Sequence, residues 1–269
     1  MTADAQAGAA GTPALIRVTS GQLDSSAEIA RLVDEVRRDA EGFVFLSGGA
    51  SKISDDNRRQ LLDLMNALPQ LANRGVRLAV GDGGTKAGLM EAAGRARLAA
   101  RPPFPLVGVA PALEIDGGKT AIDPNHSHVV AVDNPAWVEA RSREGWTPDE
   151  GYWGSEVDAM FDLFARLSRS RPAVAIVANG GAVTLQEVRK YVESDRAMIV
   201  VEGSGRAADA LVSLLRGTLP SDPEVVQLRE AAQANGLVSR PELYEIFPAA
   251  NGAAALADRV AWRLTRPVA

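Results

Sequence analysis

Residues 173–192, AVAIVANGGAVTLQEVRKYV, contain the pattern that decides the fold. Six consecutive apolar residues, 173–178, are typical of a strand that is buried on both faces of a sheet. Gly180 and Gly181 follow, and residues 183–192 then carry apolar side chains at helical spacing. A buried strand that runs through a glycine turn into a helix is the repeating unit of parallel α/β folds.

The same unit recurs along most of the chain. Apolar runs predict strands at 15–18, 43–46, 76–80, 105–110, 128–132, 173–178 and 197–201. Helical patterns separate most of these runs, which predicts a Rossmann-like, doubly wound, mostly parallel sheet with helices on both faces. Beyond residue 221 the patterns are helical, and Ser239 with Glu242 fits a capping box. We therefore expect a helical C-terminal extension.

The domain organisation follows from the same pass along the chain. Residues 1–13 carry no apolar run and are expected to form a disordered tail. We predict a single domain over 14–269, with a core over 14–217 and C-terminal helices over 221–266.

Composition excludes several classes of protein. The chain has 269 residues, a net charge of −5 and no cysteine, so disulfide scaffolds, thiolate zinc sites and cysteine nucleophiles are excluded. An acidic chain is a poor non-specific partner for nucleic acid. No run approaches 18 apolar residues, so we predict no membrane insertion and a cytoplasmic location.

The two histidines, His126 and His128, do not form a convincing metal site. At this spacing an extended segment places them on opposite faces. We predict no metal and expect one of the two to order its loop.

Glycines mark one edge of the predicted sheet. Four apolar strands run into glycines: Gly48 and Gly49, Gly83 and Gly84, Gly180 and Gly181, and Gly203 with Gly205. All four groups lie at carboxyl ends of strands, the edge where open parallel sheets bind ligands. Glycine lets the backbone approach a ligand closely, and the helix that follows favours phosphate. We expect an anionic, nucleotide-like ligand at this edge.

Two standard phosphate motifs fail. Residues 118–120, GKT, resemble the end of a Walker A motif, but Leu113 stands where its first glycine is required. Residues 203–208, GSGRAA, fit G-x-G-x-x-A, but no strand ending in an acid follows about 20 residues later. Hydride transfer is therefore not expected, and we predict no cofactor.

Several blocks together resemble the SLOG superfamily, and specifically its LSDAT branch, which forms the N-terminal region of TRPM ion channels and also occurs free-standing in prokaryotes. The resemblance covers residues 14–216, with Asp133, Gly154 and Glu156 matching between the blocks. The blocks are FLSGGA at 45–50, GGTKAGLM at 83–90, DPNHSH at 123–128, NGG at 179–181 with Thr184 and Leu185, and EGSGRAAD at 202–209.

The resemblance implies a Rossmann-like domain that binds a nucleotide-derived ligand, such as ADP-ribose or a cyclic relative, in signalling or stress sensing. More distantly, the chain is similar to phosphoribohydrolases that release cytokinin-type bases, whose signature is P-G-G-x-G-T-x-x-E. Here Asn179 replaces the proline and Val183 the third glycine, while Glu187 matches the terminal acid. Met160 and Asp162 stand where that branch has arginine. A non-catalytic sensor is the favoured interpretation, and an N-glycoside hydrolase is the alternative.

Three charged residues each admit a structural and a functional interpretation. Arg206 starts a predicted helix, where arginine opposes the helix dipole, so bidentate phosphate binding is the favoured role. Glu187 is either a first-turn acid that complements the dipole or a ribose contact or catalytic base. Glu156 either caps its helix or faces the ligand cleft, as the resemblance implies.

Residues 134–153 hold three of the four tryptophans, at positions 137, 146 and 153, together with Tyr152. Such a loop can stack on a base or close as a lid. The same aromatics can instead anchor a surface loop or form a contact in a homo-oligomer.

These arguments predict one ligand-binding edge and no established catalytic residue; if the protein is a hydrolase, its catalytic residue is Glu187. The predicted ligand-binding residues are Gly48, Gly49, Gly83, Gly84, Thr85, Gly88, Glu156, Gly180, Gly181, Thr184, Glu187, Gly203, Ser204, Gly205 and Arg206.

Overall fold

The computed structural model describes residues 12–49 and 53–265, so the predicted tail lies almost entirely outside the described residues. The described residues form one sheet of eight strands. The strands are β1 (Ala14–Thr19), β2 (Gly42–Gly48), β3 (Leu78–Asp82), β4 (Leu106–Pro111), β5 (His128–Asp133), β6 (Ala173–Ala178), β7 (Met198–Glu202) and β8 (Tyr244–Pro248). The helices are α1 (Ala27–Asp39), α2 (Asp55–Met65), α3 (Ala67–Asn73), α4 (Gly88–Ala99), α5 (Ala112–Asp116), α6 (Pro135–Arg143), α7 (Val157–Ser168), α8 (Ala182–Glu193), α9 (Arg206–Leu215), α10 (Pro223–Ala234) and α11 (Gly252–Leu264).

The strand order is β1-β5-β4-β3-β2-β6-β7-β8, and every neighbouring pair is parallel. The run from β4 to β8 reproduces the Rossmann order 3-2-1-4-5-6, which confirms the predicted fold class. The chain leaves β2 toward β3 and later returns on the other side of β2 at β6. The point where the winding reverses therefore lies between β2 and β6, which pair from Phe43↔Ala173 to Gly48↔Ala178.

Helices cover both faces of the sheet, as predicted. Alternate side chains of the strands point to opposite faces, so Phe43 and Phe45 belong to one apolar core and Val44 and Leu46 to the other. The first core packs against α1, α7, α8 and α9. The second packs against α2, α3, α4 and α11. Two buried faces explain why the strands are continuous apolar runs.

Two local predictions are wrong. Ser239 and Glu242 do not cap a helix; a short 3-10 turn at Pro241–Leu243 leads into β8, which extends the sheet beside β7. The aromatic and β-branched residues Tyr244, Ile246 and Phe247 outweigh the capping pattern, because pairing with β7 buries Tyr244 and Phe247. Residues 134–153 are not a loop throughout, because the Asn134 side chain accepts from the N–H of Trp137 and caps α6.

Replacing Gly48 should destabilise the fold. A Cβ atom at this position would lie 2.3 Å from the Ala178 carbonyl oxygen and 2.7 Å from Leu89 Cδ2. Because the first of these is backbone, the strands must separate, and we expect Gly48→Ala to lower the free energy of unfolding by about 1–3 kcal/mol. Urea denaturation measures this. Gly21→Ala is the control, since a Cβ at Gly21 would meet nothing within 4 Å; equal losses in the two variants would contradict the prediction.

Candidate functional site

The loops after β2 and β6 meet at the carboxyl edge of the sheet. A Cβ on Gly49 would lie 2.6 Å from Asn179 Oδ1. Gly180 has φ +94°, and a Cβ there would lie 2.3 Å from Thr184 Oγ1. Glycine is therefore required on both sides of this junction. The predicted residues Gly48, Gly49, Gly180, Gly181 and Thr184 are brought together by it.

Asn179 ties the β6 loop to the β7 loop. Its N–H donates to Ser204 Oγ at 2.8 Å, and its side-chain amide donates to the Ser204 carbonyl at 2.7 Å. The backbone at Asn179 has φ +58°. Proline cannot adopt this φ, and it has no N–H group to donate to Ser204. The departure from the hydrolase signature at this position thus has a structural cause.

The β7 loop is bonded internally. The N–H groups of Gly203 and Gly205 donate to the two carboxylate oxygens of Asp209, at 2.7 and 3.1 Å. The N–H groups of Ala207 and Ala208, at the start of α9, donate to carbonyls of the β6 loop. These four N–H groups, in the loop that was expected to bind phosphate, therefore already form hydrogen bonds within the protein. An acid four residues after the last glycine, Asp209, was the sequence signal for this arrangement.

Arg206 lies over the same junction. It has φ +49°, and its Nη2 would be 2.9 Å from a Cβ on Gly181. Its Nε and Nη2 both donate to Glu224 Oε1, at 3.1 and 2.9 Å. Sequence analysis missed Glu224, because nothing in the local pattern of α10 places that residue beside Arg206.

The β3 loop is held by a buried carboxylate. Asp82 Oδ1 accepts from the N–H of Gly84 at 2.7 Å, and Gly84 has φ +70° with its Cα packed against Gly108. Thr85 is fully buried, and its hydroxyl has no hydrogen-bond partner within the described ranges. Gly88, also at positive φ, begins α4. The loop thus brings Gly83, Gly84, Thr85 and Gly88 to the same edge.

His126 holds the β3 loop in place through its contact with Asp82. Its Nε2 lies 2.7 Å from Asp82 Oδ1, and its Nδ1 lies 3.4 Å from Asp123 Oδ1. Burial alone would lower the pKa of His126, but the charges and hydrogen bonds of Asp82 and Asp123 raise this pKa to about 9. The ring is therefore an imidazolium at neutral pH. Among the described residues, no group of three His, Cys, Asp or Glu side chains could hold a metal ion.

Glu187 lies in the second turn of α8, not in the first turn as predicted, because the helix already begins at Ala182. The interaction of Glu187 with the helix dipole is therefore weaker than that of a first-turn acid. Its Oε2 is buried and has no hydrogen-bond partner in the described part of the chain. Burial raises the pKa of Glu187 to about 8; a hydrogen bond with Ser47 opposes the shift, and Glu156 and Asp82 add to it.

Glu156 lies immediately before α7 and is buried. Its carboxylate does not cap α7; Oε2 accepts from the N–H of Gly154 at 2.8 Å. Burial raises the pKa of Glu156 to about 7, although the N–H groups of Glu156 and Gly154 oppose the shift. Glu156 is buried, and Glu187 is half-buried with its Oε2 shielded from water. The two acids are close enough for Glu156 to add to the pKa shift of Glu187, and both are partly protonated near neutral pH.

The aromatic segment borders a cavity at the start of α8. Trp137 and Trp146 pack edge to face with ring centroids 5.2 Å apart, and Trp146 packs in the same way on Tyr152. A cavity of about 420 Å³ lies between these tryptophans and residues Ala182 and Gln186. The aromatics therefore anchor one another and also face open space beside the glycine junction.

A cavity of about 670 Å³, larger than the one beside the tryptophans, lies at the opposite, amino-terminal edge and is lined in part by Arg77, Arg97 and His128. Arg97 donates to the carbonyls of Phe104 and Asn125, and Arg77 donates to those of Arg38 and Asp39. Because its cations are already bonded to main chain, this cavity is a poor phosphate site. The carboxyl edge remains the better candidate in spite of the difference in size.

The order of the glycine loops along the chain agrees with a known family. The model of a prokaryotic LSDAT family, described as SLOG in TRPM, matches residues 42–254. The chain belongs to this family. The matched part of the LSDAT domain contains every residue predicted for the site.

Two curated relatives of the LSDAT domain are transient receptor potential cation channel subfamily M member 2 of mouse and of rat. They are 27% and 26% identical to this chain over 144 residues. That stretch is 50% of this chain but 8% of each channel. In the described ranges 12–49 and 53–265, no helix combines the length and apolar character needed to cross a membrane.

The buried acids predict a pH-dependent stability. Folding raises the pKa of Glu187 from 4.5 to about 8, so between these values the folded state binds more protons than the unfolded state. The stability that this acid contributes is complete below pH 4.5 and is lost as the pH rises through 8. Glu187→Gln keeps a neutral side chain at every pH. It should therefore reduce the decline in the free energy of unfolding from pH 5 to 8, and be more stable than wild type by about 4 kcal/mol at pH 8.

Chemical denaturation at a series of pH values measures this effect. Glu193→Gln, on the exposed face of the same helix, is the matched control and should leave the pH dependence unchanged. An unchanged slope in Glu187→Gln would show that Glu187 is ionised in the folded protein.

Proposed function

We propose that this LSDAT domain binds a phosphorylated, nucleotide-derived ligand, such as ADP-ribose or a cyclic-nucleotide signal, at the carboxyl edge of the sheet. The observation that carries the proposal is the junction between the β2 and β6 loops. Glycine is required on both sides of it. At the same edge of the sheet, Thr85 Oγ1 in the β3 loop and Glu187 Oε2 in α8 are buried and have no hydrogen-bond partner in the described residues. Buried polar atoms without a partner are rare, and a ligand would satisfy them.

The parts of the site suit different parts of such a ligand. The first turn of α8 follows Gly181 directly and offers main-chain donors and a partial positive charge to phosphate. Arg206 reaches over Gly181 and supplies the planar guanidinium that binds phosphate in a bidentate manner. Glu156 and Glu187, partly protonated near neutral pH, can both accept from and donate to ribose hydroxyls.

Membership of the family supports a proposal for the biological role. We propose that the domain acts as a cytoplasmic sensor in signalling or stress response. The similarity to the mouse and rat proteins spans a small part of each channel, so it supports a shared ligand-binding domain and carries no channel activity over to this chain.

One observation favours a second candidate, an N-glycoside hydrolase. A carboxyl group with a pKa near 8, such as that of Glu187, can protonate a leaving base at neutral pH. However, Met160 is buried in the apolar core, so α7 offers no cation at the place where the hydrolase branch has arginine. Ligand binding without turnover is therefore the preferred proposal.

Removing Arg206 should weaken ligand binding. Charge-assisted hydrogen bonds between Arg206 and a phosphate are worth about 1.5–3 kcal/mol, so Arg206→Ala should raise the dissociation constant of ADP-ribose by about 10- to 150-fold. Arg206→Lys should recover part of the loss, because a point charge replaces a planar fork. Isothermal titration calorimetry measures both. The control is Arg240→Ala, which removes an ion-paired arginine beside Asp195, at the opposite edge of the sheet; equal affinity in wild type and Arg206→Ala would remove Arg206 from the site.

The hydrolase alternative predicts release of free base. Incubation with nucleoside monophosphates, followed by chromatography, should show no turnover at a typical enzyme rate of about 1 per second. Turnover at that rate in wild type, lost in Glu187→Gln, would establish the hydrolase function instead.

A further inference from the structure

Arg206 is held by an acid from outside the sheet. Both Nε and Nη2 donate to the same oxygen of Glu224, at 3.1 and 2.9 Å. The Arg206 side chain is 16% exposed, so the pair is shielded from water on the arginine side. A carboxylate thus occupies the guanidinium edge that the proposed function assigns to a ligand phosphate.

Glu224 is positioned by the start of α10. Its N–H donates to Asp222 Oδ1 at 2.8 Å, which caps the helix. α10 packs mainly on α9, and two of its side chains, Val225 and Ala232, are buried. The residues just before it are exposed, with Leu219 74% exposed. The Glu224 side chain itself is 41% exposed, so its carboxylate can turn toward solvent when a ligand displaces it while the capped start of α10 stays in place.

We propose that Glu224 is a specificity-determining residue, which occupies Arg206 in the ligand-free protein and yields it to a ligand that carries a phosphate. The inference rests on the proposed function. A phosphate at neutral pH carries up to two negative charges and three acceptor oxygens, so it competes with a single carboxylate for the guanidinium. An unphosphorylated nucleoside brings no group that replaces Glu224. The contact therefore selects nucleotides against nucleosides.

The same contact couples the ligand to the C-terminal helices. When a phosphate displaces Glu224, α10 loses one of its links to the start of α9. The amides of the exposed residues before α10 should then exchange faster with deuterium in the liganded protein. Without ligand, these amides should exchange at the same rate in wild type and in Glu230→Gln, a variant that keeps the pair of Arg206 and Glu224.

The test compares Glu224→Gln with Glu230→Gln, which makes the same change of charge on the exposed face of the same helix. Calorimetric titrations use ADP-ribose, adenosine monophosphate and adenosine. Glu224→Gln should bind the two phosphorylated probes about 3- to 10-fold more tightly than wild type, because the competing charge is gone. Its affinity for adenosine should not change. Glu230→Gln should match wild type with all three probes.

The double variant Arg206→Ala/Glu224→Gln separates this mechanism from a general effect of charge. If Glu224 acts through Arg206, the gain from Glu224→Gln disappears when Arg206 is absent. The unliganded melting temperature of Glu224→Gln should stay within about 4 °C of wild type, since a partly exposed ion pair contributes little.

The outcomes distinguish the two proposals. If wild type binds ADP-ribose and Glu224→Gln binds it no more tightly than Glu230→Gln, the role of Glu224 is overturned and the proposed function stands. If Glu224→Gln tightens adenosine as much as adenosine monophosphate, selection for phosphate is overturned. If neither wild type nor Glu224→Gln binds either phosphorylated probe, both proposals fail.

Discussion

The close approach of β2 and β6 is the constraint on which the rest of the structure depends. These strands are parallel neighbours, and the chain runs from β2 to β3 on one side and returns at β6 on the other, so the loops after them meet where the winding reverses. No side chain fits between Gly48 and the Ala178 carbonyl, or between Gly49 and Asn179. The requirement for glycine at this junction keeps the main chain of both loops bare, and bare main chain at a strand end lets a phosphate come close.

Buried charges surround this junction. The imidazolium of His126 neutralises part of the buried charge of Asp82 and Asp123 and holds the β3 loop. Glu156 and Glu187 have no such cation among the described residues, and burial raises the pKa of each. The fold thus keeps two acids in an environment that disfavours their ionised form. Burial of this kind lowers stability above neutral pH and is typical of functional sites.

The sequence predicted the strands β1 to β7 and the glycine loops, because buried parallel strands and glycine turns leave strong local patterns. Asp209, four residues beyond Gly205, was within reach of the same reasoning. The partners of Arg206 and Asp82 were not, because Glu224 and His126 lie 18 and 44 residues away and meet them only through the packing of α10 and of β5. The strand β8 was missed because Ser239 and Glu242 fit a capping box in the sequence alone. The local sequence does not show that β7 is available to pair with residues 244–248.

The central claim is that the ligand binds where the winding of the sheet reverses. The most direct measurement is a crystal structure of the protein with ADP-ribose. The phosphates should lie at the carboxyl edge, beside Gly49, Gly180 and the first turn of α8, within hydrogen-bond reach of the Arg206 guanidinium. Well-occupied ligand density in the larger cavity at the amino-terminal edge, between Arg97 and His128, with an empty carboxyl edge, would contradict the claim.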